Sequence, residues 1–135
     1  KTGQRRDLNR EKFEADKLLE ILKNFDSSAS KNISYLNHIL KVRSRLKAFH
    51  PEASMKCIST NIPNCVIIKR GLDGDCIYVI CNMSEKCFNI SLIKELDLFE
   101  SITNGRLIDN ITGSYLNIDA FKLNPYQVMW VSFAE

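Results

Sequence analysis

A chain of 135 residues has the length of one ordinary domain or of part of a larger protein. Hydrophobic residues make up 44% and charged residues 26%, a composition typical of globular proteins that excludes a disordered tail. The formal net charge of +3 is small and spread along the chain, so the composition implies no nucleic-acid partner. No apolar run approaches the roughly 20 residues needed to cross a bilayer, so we expect no membrane partner.

The first third of the chain is predicted to be helical. Apolar residues at helical spacing form one face of a first helix, which the residues 26–28 should end. A second helix is predicted from about Lys31 to Ala48, where His50-Pro51 stops it. The apolar faces of the two helices comprise Leu18, Ile21, Leu22, Phe25, Ile33, Leu36, Ile39, Leu40, Leu46 and Phe49.

After Pro51 the period of the apolar residues changes from 3.6 to 2, which indicates strands. Strands are predicted over 54–60, 64–71, 75–82 and 87–92, near 107–108 and 115–118, and in the closing segment 123–133. The segment 75–82 is almost wholly apolar, so we expect a central strand covered on both faces. Asp73-Gly74 predicts a tight hairpin before it. About seven short strands with frequent turns predict an antiparallel β-sandwich.

The two helices carry more apolar surface than this sandwich can bury. We therefore expect them to belong to a neighbouring domain that lies mostly outside this chain. A monomer without an exposed apolar patch on the helix pair would contradict that expectation.

No catalytic constellation is visible in the sequence. Five cysteines without a CxxC pair argue against both a disulfide framework and a zinc site, and they favour a reduced, cytosolic protein. His38 and His50 are interpreted as structural, and Tyr126 and Trp130 as core aromatics that could otherwise stack on a sugar or a base. The aspartates near turns are expected to accept hydrogen bonds from local backbone donors; they are Asp73, Asp75, Asp97 and Asp109.

The segment Thr2–Arg10 differs from the rest of the chain, because it places three arginines, an Asp and an Asn around a single Leu before the first helix. A planar guanidinium can bind a carboxylate, a phosphate or a vicinal diol at two points, which an ammonium group cannot do. A solvated N-terminal arm is the alternative interpretation of this composition.

Three short motifs in order give the chain a resemblance to a known family. They are Arg6-Asp7-Leu8-Asn9-Arg10, Ala48-Phe49-His50-Pro51 and Pro125-Tyr126-Gln127. With the helices and strands between them, they resemble the C-terminal end of the sucrose phosphorylase subfamily of the α-amylase superfamily, glycoside hydrolase family thirteen. The first motif usually reads Arg-Asp-Ile-Asn-Arg in that family. The resemblance covers nearly the whole chain.

The resemblance implies a fold and a domain division. Residues 1–50 would be the remnant of a catalytic (β/α)8 barrel, namely a loop and two helices, of which the second is the last barrel helix. Residues 51–135 would be the C-terminal β-sandwich. The fold class is then mainly β, with two helices before an antiparallel sandwich.

The resemblance also implies a reaction. The family transfers a glucosyl group reversibly between a sugar or polyol and inorganic phosphate, with retention of configuration, and it is implied to be bacterial, cytoplasmic and free of cofactor or metal. Retention requires two carboxyl groups about 5 Å apart. The family's Asp nucleophile, Glu acid/base and second Asp lie on earlier barrel strands, so none is in this chain and we expect the fragment to be inactive. The acceptor (fructose, fructose 6-phosphate, glycerate or glycerol) stays open.

One functional residue is implied at a position of this chain. The first Arg of the family's loop binds sugar hydroxyls in the glucosyl pocket, and that position is Arg6. We further infer that Asp7 orients Arg6 or a neighbour and that Arg10 ties the loop to the barrel.

Three alternatives remain open. A free-standing sandwich could bind carbohydrate through Tyr126 or Trp130, which requires an exposed aromatic platform. A small interaction domain could dock a protein partner on its helix pair. A basic arm that binds nucleic acid is the weakest alternative, because a net charge of +3 barely supports the steep salt dependence it needs.

Overall fold

The computed structural model describes residues 14–72, 74–91 and 106–134. Contacts between Cα atoms group the chain into two units, Lys1–Ile39 and Leu40–Glu135. The chain is mainly β, as the sequence predicted: two helices precede two antiparallel sheets. No helix in the described ranges is long and apolar enough to cross a membrane.

The helices are α1 (Ala15–Lys23) and α2 (Ser28–Arg45). Helix α2 begins three residues before the predicted Lys31 because Ser27 caps it: the Ser27 Oγ accepts a hydrogen bond from the Ser30 N–H at 3.1 Å. Many apolar side chains of the two helices and their connection are exposed. They are Leu18, Leu19, Ile21, Phe25, Ile33, Tyr35, Leu36 and Leu40.

Helix α2 ends earlier than predicted, at Arg45 instead of Ala48. Leu46 has extended backbone angles, φ −97° and ψ 108°, which break the helical hydrogen-bond ladder. The chain then forms a 3-10 helix at Lys47–Phe49 before His50. This short element connects α2 to the first strand.

In the described residues, eight strands form two antiparallel sheets. The six-stranded sheet has the order β1-β2-β3-β8-β5-β6, and the two-stranded sheet pairs β4 with β7. The strands are β1 Ser54–Ile58, β2 Cys65–Leu72, β3 Asp75–Asn82, β4 Phe88–Ile90, β5 Leu107–Asp109, β6 Ser114–Leu116, β7 Phe121–Leu123 and β8 Val128–Phe133. Strand β3 lies inside the larger sheet, between β2 and β8, so the prediction of a central strand is confirmed.

Strand β7 was not predicted. Only Leu123 fell within the predicted closing segment 123–133, and Phe121 and Lys122 were assigned to no strand, but the three residues pair with β4 at Phe88↔Leu123 and Ile90↔Phe121. A three-residue strand is too short to show a period of two, which explains the omission.

The two sheets share one hydrophobic core, in a sandwich-like arrangement. Ile67, Ile80 and Val131 of the larger sheet are fully buried together with Ile90 and Leu123 of the smaller one. We call this side of the larger sheet its inner face and the opposite side its outer face. Alternation along the strands and the β-ladder register place Arg70, Ile77 and Trp130 on the outer face.

Candidate functional site

Arg6, the residue predicted to bind sugar hydroxyls, lies outside the described residues, as do Asp7 and Arg10. The other two motifs that carry the resemblance are described. Ala48-Phe49-His50-Pro51 connects α2 to the larger sheet, and Pro125-Tyr126-Gln127 forms the turn before β8.

The first of these motifs packs on the outer face of the larger sheet. Ala48 is 1% exposed, and the Phe49 ring lies 4.4 Å from the Trp130 ring between centroids, with the ring planes inclined at 55°. Trp130 is itself 8% exposed. Tilted aromatic pairs at this distance are favourable beyond the apolar area that they bury. The contact holds the segment that follows α2 against β8.

Arg70 on β2 fixes the backbone of the same segment. Its Nε donates to the Ala48 carbonyl at 3.0 Å and its Nη2 to the His50 carbonyl at 3.2 Å. The guanidinium carbon also lies 5.7 Å from the centroid of the Phe49 ring, within cation–π range. Since guanidinium donors form a rigid fork, one side chain bonds to both carbonyls, and the His50 carbonyl also accepts a hydrogen bond from the Ala53 N–H at 3.0 Å. Arg43 lies 5.9 Å from the same ring. We call Phe49, Arg70 and Trp130 the clamp.

The second motif is held by a buried asparagine. The Asn82 side chain is almost fully buried and donates from Nδ2 to the Lys86 carbonyl at 2.7 Å and to the Asn124 carbonyl at 2.8 Å. Its Oδ1 accepts hydrogen bonds from both the N–H and the hydroxyl of Ser84, at 2.9 and 2.8 Å. The Tyr126 N–H donates to the Ser84 carbonyl at 3.1 Å. One side chain thereby joins the loop after β3 to the turn before β8.

The two aromatic candidates have different environments. Trp130 is buried, as predicted for a core aromatic, and it contacts Phe49 on the outer face. The same prediction was wrong for Tyr126, which is 69% exposed. Tyr126 lies in the turn before β8 rather than in the strand itself, and its φ of +54° is in the left-handed region. Of these two residues only Tyr126 can stack on a ligand.

Asp109 accepts hydrogen bonds from local donors, as predicted for turn aspartates. It is 1% exposed, and its Oδ1 accepts from the N–H of Ile111 at 3.2 Å and of Trp130 at 3.0 Å. Its Oδ2 accepts from the Thr112 hydroxyl at 2.8 Å. With three donors the carboxylate is satisfied, so we assign it a structural role. Asp75 instead pairs with Lys47 at 3.6 Å, and Asp73 and Asp97 lie outside the described residues.

The remaining polar candidates show no arrangement for catalysis. His38 is exposed on α2, and the His50 Nδ1 accepts a local hydrogen bond from the Glu52 N–H at 3.3 Å. Burial raises the pKa of Cys81, which makes that thiol a poorer nucleophile. Within the described part of the chain, no group of three or more His, Cys, Asp or Glu side chains could hold a metal ion.

Burial also acts on a tyrosine of β3. It is the largest cause that raises the pKa of Tyr78 to about 12, followed by the neighbouring Cys76 thiol, which hydrogen-bonds the phenol. A phenol that ionises so reluctantly is a poor general base at neutral pH.

Sequence reasoning missed the residues that organise the two motifs. Arg70 and Asn82 both lie in apolar strand patterns, and nothing in their spacing identifies their partners, which are distant backbone carbonyls. One signal was available for Arg70: it lies with Lys69 directly after the apolar run 65–68 in the predicted strand 64–71.

No protein-family model matches the chain, and no curated protein sequence matches it.

Proposed function

We propose that this chain is the C-terminal part of a retaining glycoside phosphorylase similar to sucrose phosphorylase, in which the sandwich is a non-catalytic structural domain. The main support for the proposal is that both described motifs occupy defined positions in the structure. Ala48–Pro51 forms the clamped connection between the last helix and the sandwich, and Pro125–Gln127 forms the turn before the closing strand.

The exposed apolar side chains of α1 and α2 support the same proposal. Leu19, Leu36 and Leu40 are 53%, 55% and 50% exposed, and Phe25 is 82% exposed. Isolated apolar residues on a surface need no explanation, but a series along two successive helices marks a face that another body covers. In this proposal that body is the rest of the (β/α)8 barrel, and α2 is its last helix.

The division of labour follows from the chemistry of retention. The barrel supplies the nucleophilic Asp and the acid/base Glu, with their carboxyl groups about 5 Å apart, and inorganic phosphate then takes the glucosyl group. Arg6 binds adjacent sugar hydroxyls with its two-pronged guanidinium and so fixes the ring before the glycosidic bond breaks. The clamp fixes the end of α2 to the sandwich.

The proposal is tested on the complete polypeptide that contains this chain. With sucrose and inorganic phosphate we expect formation of glucose 1-phosphate, and proton NMR at early times should show the α anomer. The 135-residue chain alone should form none, because it lacks the catalytic carboxylates. Absence of phosphorolysis with sucrose, sucrose 6-phosphate, glucosylglycerate and glucosylglycerol, or formation of the β anomer, would contradict the proposal.

The alternative is a stand-alone module that binds carbohydrate or a protein. One observation favours its carbohydrate form, namely the exposure of Tyr126 on a turn held by hydrogen bonds. Its protein-binding form is favoured by the exposed apolar faces of α1 and α2. Either form predicts that this chain binds its ligand without further domains. Phosphorolysis by the complete polypeptide would therefore favour the phosphorylase over both forms of the module.

A further inference from the structure

A surface cavity of about 450 Å³ lies between the segment before β2 and the loop after β3. Its volume is in the range of small-molecule sites, which is about 300–1,000 Å³. The apolar part of its lining consists of Ile62, Pro63 and Phe88. Phe88 and Ile62 are half-buried and pack against the shared core, so this side of the cavity is anchored to the sandwich.

The polar part of the lining comprises Ser84, whose hydroxyl bonds to the Asn82 side chain, the Cys87 thiol, and Asn64, Glu85 and Lys86. The side chains of Asn64, Glu85 and Lys86 are exposed, and within the described ranges they make neither a hydrogen bond nor an ion pair. An amide, a carboxylate and an ammonium group therefore stand free around one cavity. Together they offer donors and acceptors without net charge, because Glu85 and Lys86 carry opposite charges.

The backbone that carries these groups is fixed. The Asn82 side chain bonds to the Lys86 carbonyl at 2.7 Å and accepts two hydrogen bonds from Ser84, so the loop around Glu85 has a defined shape. Asn64 has φ +59°, and its carbonyl accepts a hydrogen bond from the Met83 N–H at 2.8 Å. Preorganised polar groups lose little entropy on binding a ligand.

An exposed aromatic ring lies on the neighbouring turn. Tyr126 is joined to the cavity loop by the hydrogen bond from its N–H to the Ser84 carbonyl. A left-handed conformation strains a non-glycine residue, and Gly at this position would avoid that strain. The tyrosine ring is 69% exposed and is therefore accessible to a ligand.

We propose that the cavity and the adjacent Tyr126 ring form a non-catalytic binding site for a neutral saccharide. Sugar hydroxyls donate to the Glu85 carboxylate and to the side-chain amide oxygen of Asn64 and accept from Lys86, while the apolar face of a pyranose ring packs on Phe88 and Ile62. Tyr126 stacks on the next sugar unit. A phosphorylated ligand fits less well, because the opposite charges of Glu85 and Lys86 leave no net positive charge to balance a phosphate.

The site is independent of the proposed phosphorolysis. Binding is measured on the 135-residue chain, which lacks the catalytic carboxylates, whereas phosphorolysis is measured on the complete polypeptide. Failure of one proposal therefore leaves the other standing.

The test is a titration of the ¹⁵N-labelled 135-residue chain with sucrose and with maltotriose, followed by amide chemical shifts. We expect saturable shifts at Asn64, Glu85 and Lys86. Glu85→Ala should weaken binding about tenfold, as expected for the loss of about 1.4 kcal/mol of hydrogen bonding to a charged group. Lys86→Ala changes only the side chain and leaves the carbonyl that Asn82 binds, so it should weaken binding without unfolding the loop.

Tyr126→Gly separates binding from stability, because glycine adopts φ +54° without strain. We expect this variant to be at least as stable as the parent in urea and to bind maltotriose about fivefold to tenfold more weakly. Tyr115→Ala is the matched control: Tyr115 is equally exposed, at 66%, and lies on the edge strand β6, so its removal should leave binding unchanged. The proposal is overturned if neither sugar gives saturable shifts, or if the Glu85→Ala and Tyr126→Gly variants bind sugar as tightly as the parent. A site that binds inorganic phosphate alone would overturn it as well.

Discussion

The ring of Phe49 lies 4.4 Å from the ring of Trp130, so the 3-10 helix that follows α2 rests directly on the closing strand β8. These residues are 81 positions apart in the sequence (130 − 49), and their contact joins the segment after α2 to the sandwich.

The aromatic contact should be measurable as a coupling energy. In a double-mutant cycle of Phe49→Ala and Trp130→Ala, we expect a coupling of about 0.5–1.5 kcal/mol, because each single variant removes the same tilted ring pair. Urea denaturation of the four proteins gives the value. Phe88→Ala is the control partner, since Phe88 packs in the core between the sheets and should not couple to Trp130. Strictly additive effects of Phe49 and Trp130 would contradict the prediction.

Arg70→Lys should destabilise the chain by about 1–3 kcal/mol, although the charge is retained. A lysine has one ammonium group and cannot reach the carbonyls of both Ala48 and His50 in the geometry of the guanidinium fork. The free energy of unfolding measures the loss. Lys122→Ala, an exposed change on β7, serves as the control and should lie within about 0.5 kcal/mol of the parent. A stability equal to that of the parent would show that the two hydrogen bonds contribute nothing.

Asn82→Asp should destabilise the sandwich more than Asn82→Ala. The substitution places a carboxylate oxygen against the carbonyls of Lys86 and Asn124, where the amide nitrogen donates two hydrogen bonds at 2.7 and 2.8 Å. A buried, unpaired charge adds to the lost hydrogen bonds, and we expect a loss of about 3 kcal/mol or more at neutral pH. Thermal unfolding of the two variants gives the ranking. The opposite ranking would mean that the nitrogen and oxygen of Asn82 are interchanged.

Much of the sheet could be predicted from the sequence, and the reasons are local. The nearly unbroken apolar run of β3 predicts an interior strand because both of its faces must be covered, and it lies between β2 and β8. The start of α2 was placed too late because Ser27 was read as part of the helix stop before it rather than as the cap of the next helix. Strand β7 and the partners of Arg70 and Asn82 depend on contacts between segments that are distant in the sequence. The spacing of apolar residues along the chain does not indicate such contacts.

Tyr78 should make the fold sensitive to alkaline pH. Its pKa is raised from 10.0 to about 12 in the fold, first by burial and then by the adjacent Cys76. Because the folded pKa lies above the unfolded one, this contribution to stability is fully present below pH 10 and is lost as the pH rises to about 12.

We therefore expect the free energy of unfolding to fall in that window by an amount on the order of 2 kcal/mol, and Tyr78→Phe to remove this part of the decline. Urea denaturation between pH 9 and pH 12 is the measurement. Tyr115→Phe is the control, since that ring is 66% exposed. If the free energy of unfolding of the Tyr78→Phe variant falls by the same amount, groups other than Tyr78 cause the decline.

The most direct test of the phosphorylase proposal is the kinetic effect of Arg6→Lys in the complete polypeptide. Loss of two-point binding to the sugar hydroxyls should reduce kcat/KM for phosphorolysis about 100-fold, because the reacting ring is no longer fixed. Arg5→Lys, the same change one residue earlier, should leave kcat/KM within about twofold of the parent. Equal kinetics of the Arg6→Lys variant and the parent would remove Arg6 from the sugar site and contradict the account.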